Sequence, residues 1–358
     1  MPSLRDMLPD LYRAFLPAFF DHEAPREEKA TCASCAMCAP AGTPAEAATA
    51  YFRPDLKCCT YHPRLPNYLV GALLCDDSPE LAEGRRRVER LIATRIGVTP
   101  RWLAPPRKTR VLYFAARRRG FGRSLLLRCP YYEEQGGLCT IWRWRETDCS
   151  TFFCKYSAGA EGQTFWRGLN GYLHDVQRVL TAEAVAAVAP HLGEPDVQPG
   201  EMTLDDLEDR PPHDYATFWR DWEGRELDLY RACYRHVLAL DGARFEALIA
   251  GDAADGLAVV RDAAARIDTP TLPHHLVLGP DLTAQPRDGG LLVSTYCDYD
   301  PLMLSPALYE ILQRFTADVS VAQVRAHLVE EEGVELPDSL LLMLHQMRVL
   351  VEPEITPG

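Results

Sequence analysis

The sequence predicts a mainly α-helical protein with small β elements, an α+β fold. Three observations predict it. Ten of the twelve cysteines lie between Cys32 and Cys154, in a stretch that proline and glycine break into short pieces. From Gln163 to residue 268 the apolar residues recur at helical spacing. From residue 274 onward, short strand-like runs alternate with signals for helix starts. The chain therefore divides into a cysteine-rich region 1–160, a helical region 161–268 packing on it, and a winged-helix-like module 269–358.

Residues 3–20 read as short helical pieces. Ser3 caps the first, Leu4, Met7, Leu8, Leu11 and Phe15 form its apolar stripe, and Pro9 and Pro17 interrupt it. Residues 21–50 are polar, then rich in Ala, Pro, Gly and Thr, and cannot form a packed element unaided. Pro63 and Pro66 hold the chain extended before an apolar helix from Asn67 to Cys75, in which Cys75 is a buried thiol. Ser78-Pro79 starts another helix, with Leu81, Val88, Leu91 and Ile92 as its stripe and Gly97 as its end. Val111–Ala115 and Ser124–Cys129 read as two strands joined by an Arg-Gly-Phe-Gly turn. Gly136-Gly137 turns the chain into a short strand over 138–145.

Phe165, Trp166, Leu169, Leu173, Val176 and Leu180 mark a helix that Ala182–Leu192 continues after a break. Pro211–Leu240 reads as one long helix, with Phe218, Trp219, Trp222, Leu227, Tyr230 and Tyr234 as a core stripe; shorter helices fill 242–268. His275–Leu278 and Gly290–Ser294 read as strands around an Asp-Gly-Gly turn. Ser305-Pro306 starts a helix to Phe315, and Ser320 with Gln323 forms a capping box for a helix ending at Gly333. Pro337–Met347 is a last helix and Val349–Val351 a closing strand.

A chain of 358 residues can bury a core without disulfides. Its first residues lack a basic stretch followed by an apolar run, and no run approaches a membrane span, so the expectation is a cytoplasmic protein with no membrane partner. Thiols in that compartment stay reduced, which moves clustered cysteines from disulfides to metal. The net charge of −13 argues against nucleic acid as a partner. Between Glu89 and Glu133, however, there is no acidic residue, and the segment carries Arg95, Arg101, Arg107, Lys108, Arg110, Arg117, Arg118, Arg119, Arg123 and Arg128. That segment is either a solvated surface patch or the counter-charge of one anionic partner. Four thiolates on Zn2+, or on an oxidised [4Fe–4S] core, leave about −2 by formal counting, so the partner could be the centre itself.

Cys32, Cys35 and Cys38 have the C-x2-C-x2-C spacing with which bacterial ferredoxins wrap a cluster. That pattern places a fourth cysteine at position 42, where this chain has Gly42, so the centre must be closed from a distance. Nine thiols are candidate ligands: Cys32, Cys35, Cys38, Cys58, Cys59, Cys129, Cys139, Cys149 and Cys154. They suffice for two sites, or for one with spare thiols. Cys129 precedes a proline, as the remote ferredoxin ligand often does. Two of the four lysines, Lys57 and Lys155, adjoin a candidate cysteine, and a nearby ammonium favours the thiolate. His62, three residues after Cys59, is either a ligand or an ordinary loop histidine. Trp142, Arg143, Trp144 and Arg145 either stack on a ligand or shield the centre. Cys149 or Cys154 as a nucleophile would need a histidine that spacing does not assign. No P-loop, radical C-x3-C-x2-C or dinucleotide fingerprint occurs.

The cysteine triplet, Cys58-Cys59, Gly136-Gly137-x-Cys139-x-Ile141 and Arg145-x3-Cys149-x2-Phe152-Phe153-Cys154 resemble the YkgJ family of zinc- or iron-chelating cysteine-cluster proteins over about residues 30–157. The flagellin lysine-N-methylases, associated with an iron–sulfur cluster, have a related arrangement. Here about twenty residues separate Cys38 from Cys58, Glu146 replaces the family's proline, and Cys154 stands where proline is usual. The resemblance implies Cys32, Cys35, Cys38, Cys58, Cys59, Cys139 and Cys149 as ligands. Residues 270–353 resemble PqqD-like winged helices, which implies a peptide or protein partner for the C-terminal module. The expected function is a metal-binding redox or accessory module holding an iron–sulfur cluster, expected as [4Fe–4S], with Zn2+ as the alternative metal. The alternatives are a cluster-dependent enzyme modifying a peptide or protein side chain, and a zinc-stapled structural or interaction protein. No catalytic residue is assigned.

Overall fold

A computed structural model describes residues 3–29, 31–32, 35–39, 42, 51–192, 210–212, 214–250 and 254–353. Close to half of the chain is helical and the strands form small antiparallel sheets, an α+β arrangement. Most of the Ala/Pro/Gly/Thr-rich run after Cys38 lies outside the described residues. Two compact units interleave along the chain. Unit 1 comprises Met1–Ala24, Thr31–Phe152 and Asn170–Gly256; unit 2 comprises Pro25–Ala30, Phe153–Leu169 and Leu257–Gly358. No helix among the described residues is long and apolar enough to cross a membrane.

Unit 1 begins with α1 (Leu4–Met7), whose capping box has the Ser3 N–H donating to Asp6 at 3.0 Å while the Ser3 hydroxyl accepts the Asp6 N–H. Leu4, Leu8, Leu11 and Phe15 are buried and Met7 is half-buried. Strand β1 (Leu65–Pro66) pairs with β2 (Trp102–Leu103), and between them lie α2 (Asn67–Cys75) and α3 (Ala82–Ala93). Helix α2 is buried on every side from Asn67 to Leu74. Its one buried amide is satisfied, since Asn67 Nδ2 donates to the carbonyls of Pro100 at 3.2 Å and Thr181 at 3.1 Å. Gly71 lets the helix approach its neighbour closely, because a Cβ there would lie 1.9 Å from the Tyr230 carbonyl oxygen. Ser78 does precede a 3₁₀ turn over Pro79–Leu81, but its hydroxyl bonds the Asp76 carboxylate and not a helix N–H.

The two strands expected at Val111–Ala115 and Ser124–Cys129 are not strands. Arg107–Gly120 is a helix, α4, and Leu125–Leu127 a 3₁₀ turn. The continuous run Val-Leu-Tyr-Phe carries no period of its own, and the Arg and Ala around it favour helix. Downstream, β3 (Tyr132–Glu133) and β4 (Leu138–Cys139) form a hairpin over Gly137 (φ 62°), as the glycine pair predicts. The strand expected over 138–145 stops at Cys139, and Trp142–Trp144 is a 3₁₀ turn leading to α5 (Thr147–Thr151).

Helix α6 (Gly159–Val188) continues without the expected break, supplying residues up to Leu169 to unit 2 and the rest to unit 1. The long helix expected over Pro211–Leu240 is divided into α7 (Tyr215–Trp219), a 3₁₀ turn over Arg220–Trp222 and α8 (Glu226–Leu238). Arg220 (φ 50°) and Gly224 (φ 77°) break it, and the buried Glu226 accepts the Gly224 N–H at 3.0 Å and the Tyr215 hydroxyl at 2.9 Å. Trp219 and Tyr230 are core residues, whereas Phe218, Trp222, Leu227 and Tyr234 are half-buried. Helix α9 (Gly242–Ile249) completes unit 1, capped by Asp241.

In unit 2, α10 (Ala254–Asp268) is followed by β5 (Val277–Leu278), which pairs with β9 (Leu350–Val351). The Asp-Gly-Gly turn joins β6 (Thr283–Arg287) to β7 (Gly290–Ser294), and β8 (Leu302–Leu304) flanks β7. The turn therefore does not connect Gly290–Ser294 to His275–Leu278. Strand β6, wholly exposed and containing Pro286, has no apolar alternation to announce it. The helix signals hold. Ser305 caps α11 (Pro306–Leu312), Ser320 and Gln323 box α12 (Val321–Glu332) with Gly333 left-handed at its end, and α13 (Asp338–Gln346) follows. Their apolar faces meet Leu276, Val293, Leu304 and Leu350 in one core.

Candidate metal centre

Eight of the nine candidate thiols belong to unit 1, and they arrive on separate segments. The first is the loop carrying Cys32, Cys35 and Cys38, tied by a Cys38 N–H bond to the Cys35 carbonyl at 3.1 Å and by a Phe52 N–H bond to Met37 at 2.7 Å. The second is the turn Leu56–Thr60, with Lys57 at φ 52°. The third is Cys129, whose N–H donates to the Cys59 carbonyl at 2.8 Å and so fastens the two segments directly. The fourth is the hairpin, where Cys139 stands opposite Tyr132. The fifth is the short helix α5 bearing Cys149.

Lys57 cross-ties these segments. Its Nζ donates to the Cys32 carbonyl at 2.7 Å and to the Gly137 carbonyl at 2.8 Å. Glycine suits position 137 by its positive φ, and a Cβ there would stand 3.1 Å from that Nζ. Arg145 is the second cation. Its guanidinium donates to the carbonyls of Cys149 at 3.1 Å and Trp142 at 3.0 Å and stacks on the Trp142 ring at 3.6 Å. The next turn is anchored through Asp76, which accepts from Trp144 Nε1 at 2.9 Å and from Arg143 at 3.2 Å.

Several of these thiols bear on one another electrostatically. Burial, then the nearby Cys58, pushes Cys32 up, and burial followed by Cys35 pushes Cys38 up to about 12. A hydrogen bond with Cys59, then burial, raises Cys58 further. Burial is also the main cause for Cys129, Cys139 and Cys149; Cys139 further opposes ionisation of Cys129, Cys32 that of Cys139, and Glu146 followed by Cys129 that of Cys149. Lys57 favours ionisation of Cys32, Cys38 and Cys58; Arg145 favours that of Cys32 and Cys139. These six thiols resist losing protons to water. A bound cation reverses that balance by supplying the missing positive charge, which is the donor chemistry of a thiolate metal site. The cations that bear most on the thiols are thus Lys57 and Arg145, neither of them from the basic segment 95–128.

Two buried polar groups on neighbouring segments lack a hydrogen-bond partner, the Tyr131 hydroxyl and His62 Nε2, and their rings meet edge to face at 5.9 Å. Burial pushes His62 down to about 4, so it is neutral. Among the described residues, no three cysteine sulfurs lie within 4.8 Å of one another. The one ligand-type trio that close is Glu146, Asp148 and His174. Its atoms are already engaged. Glu146 caps α5, accepting the N–H groups of Asp148 at 2.8 Å and Cys149 at 3.0 Å. Asp148 accepts from Tyr61 at 2.5 Å, Asn170 at 3.0 Å and His174 at 3.0 Å. Burial opposes its charge, but these donors hold its carboxyl down at about 2. The trio therefore fixes the helix that presents Cys149.

Cys154 belongs to unit 2, where the Cys297 thiol donates to its carbonyl at 3.5 Å, and Lys155 faces Asp300 at 3.9 Å. Cys75 ends α2 half-buried and Cys233 is buried in α8. Sequence reasoning missed the trio, whose members are 26 residues apart between Asp148 and His174, and it missed Tyr131; the only local signal was an acid, Glu146, at a helix N-cap position. Comparison with family models, curated proteins and solved structures finds no match to this chain.

Proposed function

We propose that unit 1 holds an iron–sulfur cluster on its cysteine thiolates and that the protein is a redox or accessory module. The observation that supports this reading is that five segments of unit 1 bring eight candidate thiols, of which Cys32, Cys38, Cys58, Cys139 and Cys149 bear on the cations Lys57 or Arg145. The C-x2-C-x2-C loop of Cys32, Cys35 and Cys38, joined by thiols from other segments, supports a cluster over a single ion. When bound, the cluster supplies one-electron chemistry. The chain's own residues do the rest. Lys57 and Arg145 offset the thiolate charge, Trp142 covers Arg145, and the Glu146–Asp148–His174 network holds α5 in place.

The test is a serine variant in each of four segments: Cys32→Ser, Cys58→Ser, Cys139→Ser and Cys149→Ser. The reading expects most of them to lower the same iron content. Full retention of metal in all four would sink it.

One observation favours a second reading, a cluster-dependent enzyme acting on a peptide or protein side chain. Unit 2 contains a cleft of about 1160 Å³ lined by Leu278, Leu282, Leu342 and Val351 with Arg266 and Arg348 among them. It is large enough for several side chains of an extended peptide, in keeping with a PqqD-like, winged-helix reading of residues 269–358. A peptide captured by the full chain and released by Leu342→Arg would support it; no captured peptide would count against it.

A further inference from the structure

We infer that the basic face of unit 1, formed by α4 (Arg107–Gly120) and the turn that follows it, docks on an anionic lipid surface, with Phe114, Leu125 and Leu126 entering the interface. Residues 107–128 carry eight arginines and lysines and no acid, a charge of +8 in a chain of net −13. Helix α4 seats one stripe on the body. Thr109, Tyr113, Ala116 and Gly120, spaced i, i+4, i+7 and i+11, are half-buried or buried, and the Tyr113 ring meets Tyr61 at 5.5 Å. A Cβ at Gly120 would stand 3.0 Å from Leu127 Cδ1, so the turn closes against that same stripe. The opposite arc is exposed. Arg107, Lys108, Arg110 and Arg119 carry its charge, and Leu112 and Phe114 stand among them.

The turn adds the apolar part. The N–H groups of Arg123 and Ser124 bond the Gly120 carbonyl at 3.0 and 2.9 Å, which folds the chain back at the helix end. Leu127 is buried there, whereas Leu125 is 46% exposed, Phe114 56% and Leu126 83%. Water gives no return on three such side chains beside four cations. A lipid interface does, because the cations meet its phosphates while the apolar side chains reach the acyl boundary. Nucleic acid would neutralise the cations but leave the leucines in water. An acidic protein would need a fitted pocket for Leu126, whereas a fluid layer needs none. The acidic remainder of the chain is repelled by an anionic bilayer, which turns this face toward it. Arg128 adds little to the attraction, since Glu134 pairs with it.

The experiment is co-sedimentation of the full chain with phosphatidylcholine vesicles and with vesicles in which about a third of the lipid is phosphatidylglycerol. The chain should bind the second kind and not the first, and more weakly as salt rises. The triple variant Lys108→Gln, Arg110→Gln, Arg119→Gln should lower the affinity about 100-fold, at about fivefold for each cation. The pair Leu125→Ser, Leu126→Ser should lower it about tenfold and leave the melting temperature unchanged, since both side chains are exposed. Absence of binding to the anionic vesicles overturns the inference, as does binding that either variant leaves unchanged. Polyglutamate and duplex DNA are then titrated in place of vesicles. If the chain binds one of them as tightly as the vesicles, and the serine pair binds it equally well, the face is a general polyanion site and the lipid assignment falls.

Discussion

Replacing Arg145 by methionine should weaken metal binding far more than it weakens the fold. Methionine keeps most of the apolar stem over Trp142 but removes two hydrogen bonds, to the carbonyls of Cys149 and Trp142, and one stacked cation. In the metal-free protein that loss is about 2–4 kcal/mol, since each charged donor contributes roughly 1.5–3 kcal/mol and part is recovered by water at this half-buried site. The metal-bound form loses more. Arg145 bears on Cys32, Cys139 and Cys149. Unit charges about 4–8 Å apart interact by roughly 2–4 kcal/mol per pair at an effective dielectric of about 20. Even one such pair, screened to about 2 kcal/mol, corresponds to about 30-fold in affinity. Arg145→Lys keeps the charge but not the planar fork, and should cost under about tenfold. Competition with a chelator, read by residual metal per chain, measures all three proteins. Wild-type affinity in a folded Arg145→Met protein would refute the electrostatic argument.

Three other perturbations have expected outcomes. A Cβ at Gly84 would lie 2.2 Å from the Thr140 carbonyl oxygen, beside Cys139; Gly84→Ala should therefore cost about 1–3 kcal/mol in denaturant unfolding and lower metal content, and an unchanged midpoint would contradict the packing. Cys35→Ser should lower the melting temperature of unit 1, because the loop it sits in has little apolar surface of its own; retention of both metal and melting temperature would be the contrary result. Burial pushes Glu27 up to about 7 although Ser157 and Trp166 donate to it. A carboxyl raised in the folded state contributes stability that is fully present below its unfolded pKa, near 4.5, and is lost as pH rises through about 7. Carboxyl NMR should place its midpoint near the upper value, and a midpoint near 4.5 would refute the burial.

Much of this was legible locally. Ser3, Ser305 and Ser320 announce helices because a cap is a short-range hydrogen bond, and Gly137 and Gly333 announce turns because only glycine takes a positive φ freely. Phe165 to Leu180 gives its helix because one face is apolar at every turn. The errors came where the local signal was ambiguous. Val111–Phe114 is apolar without a period, and neighbouring arginines, not apolar alternation, decide for helix. The break at Arg220 and Gly224 serves the buried Glu226, a tertiary contact that no window of sequence contains. The thiol set was visible by residue type, but its grouping depends on the Cys129-to-Cys59 backbone bond and on Lys57, both long-range. The interleaving of the two units likewise has no local signature.

The central claim is that thiols of unit 1 together hold an iron–sulfur centre. Iron, zinc and acid-labile sulfide, counted per chain in anaerobically purified protein, test it most directly. Iron and sulfide in comparable amounts, in brown protein that bleaches on chelation, are the predicted result. Colourless protein carrying stoichiometric zinc and no sulfide would contradict it.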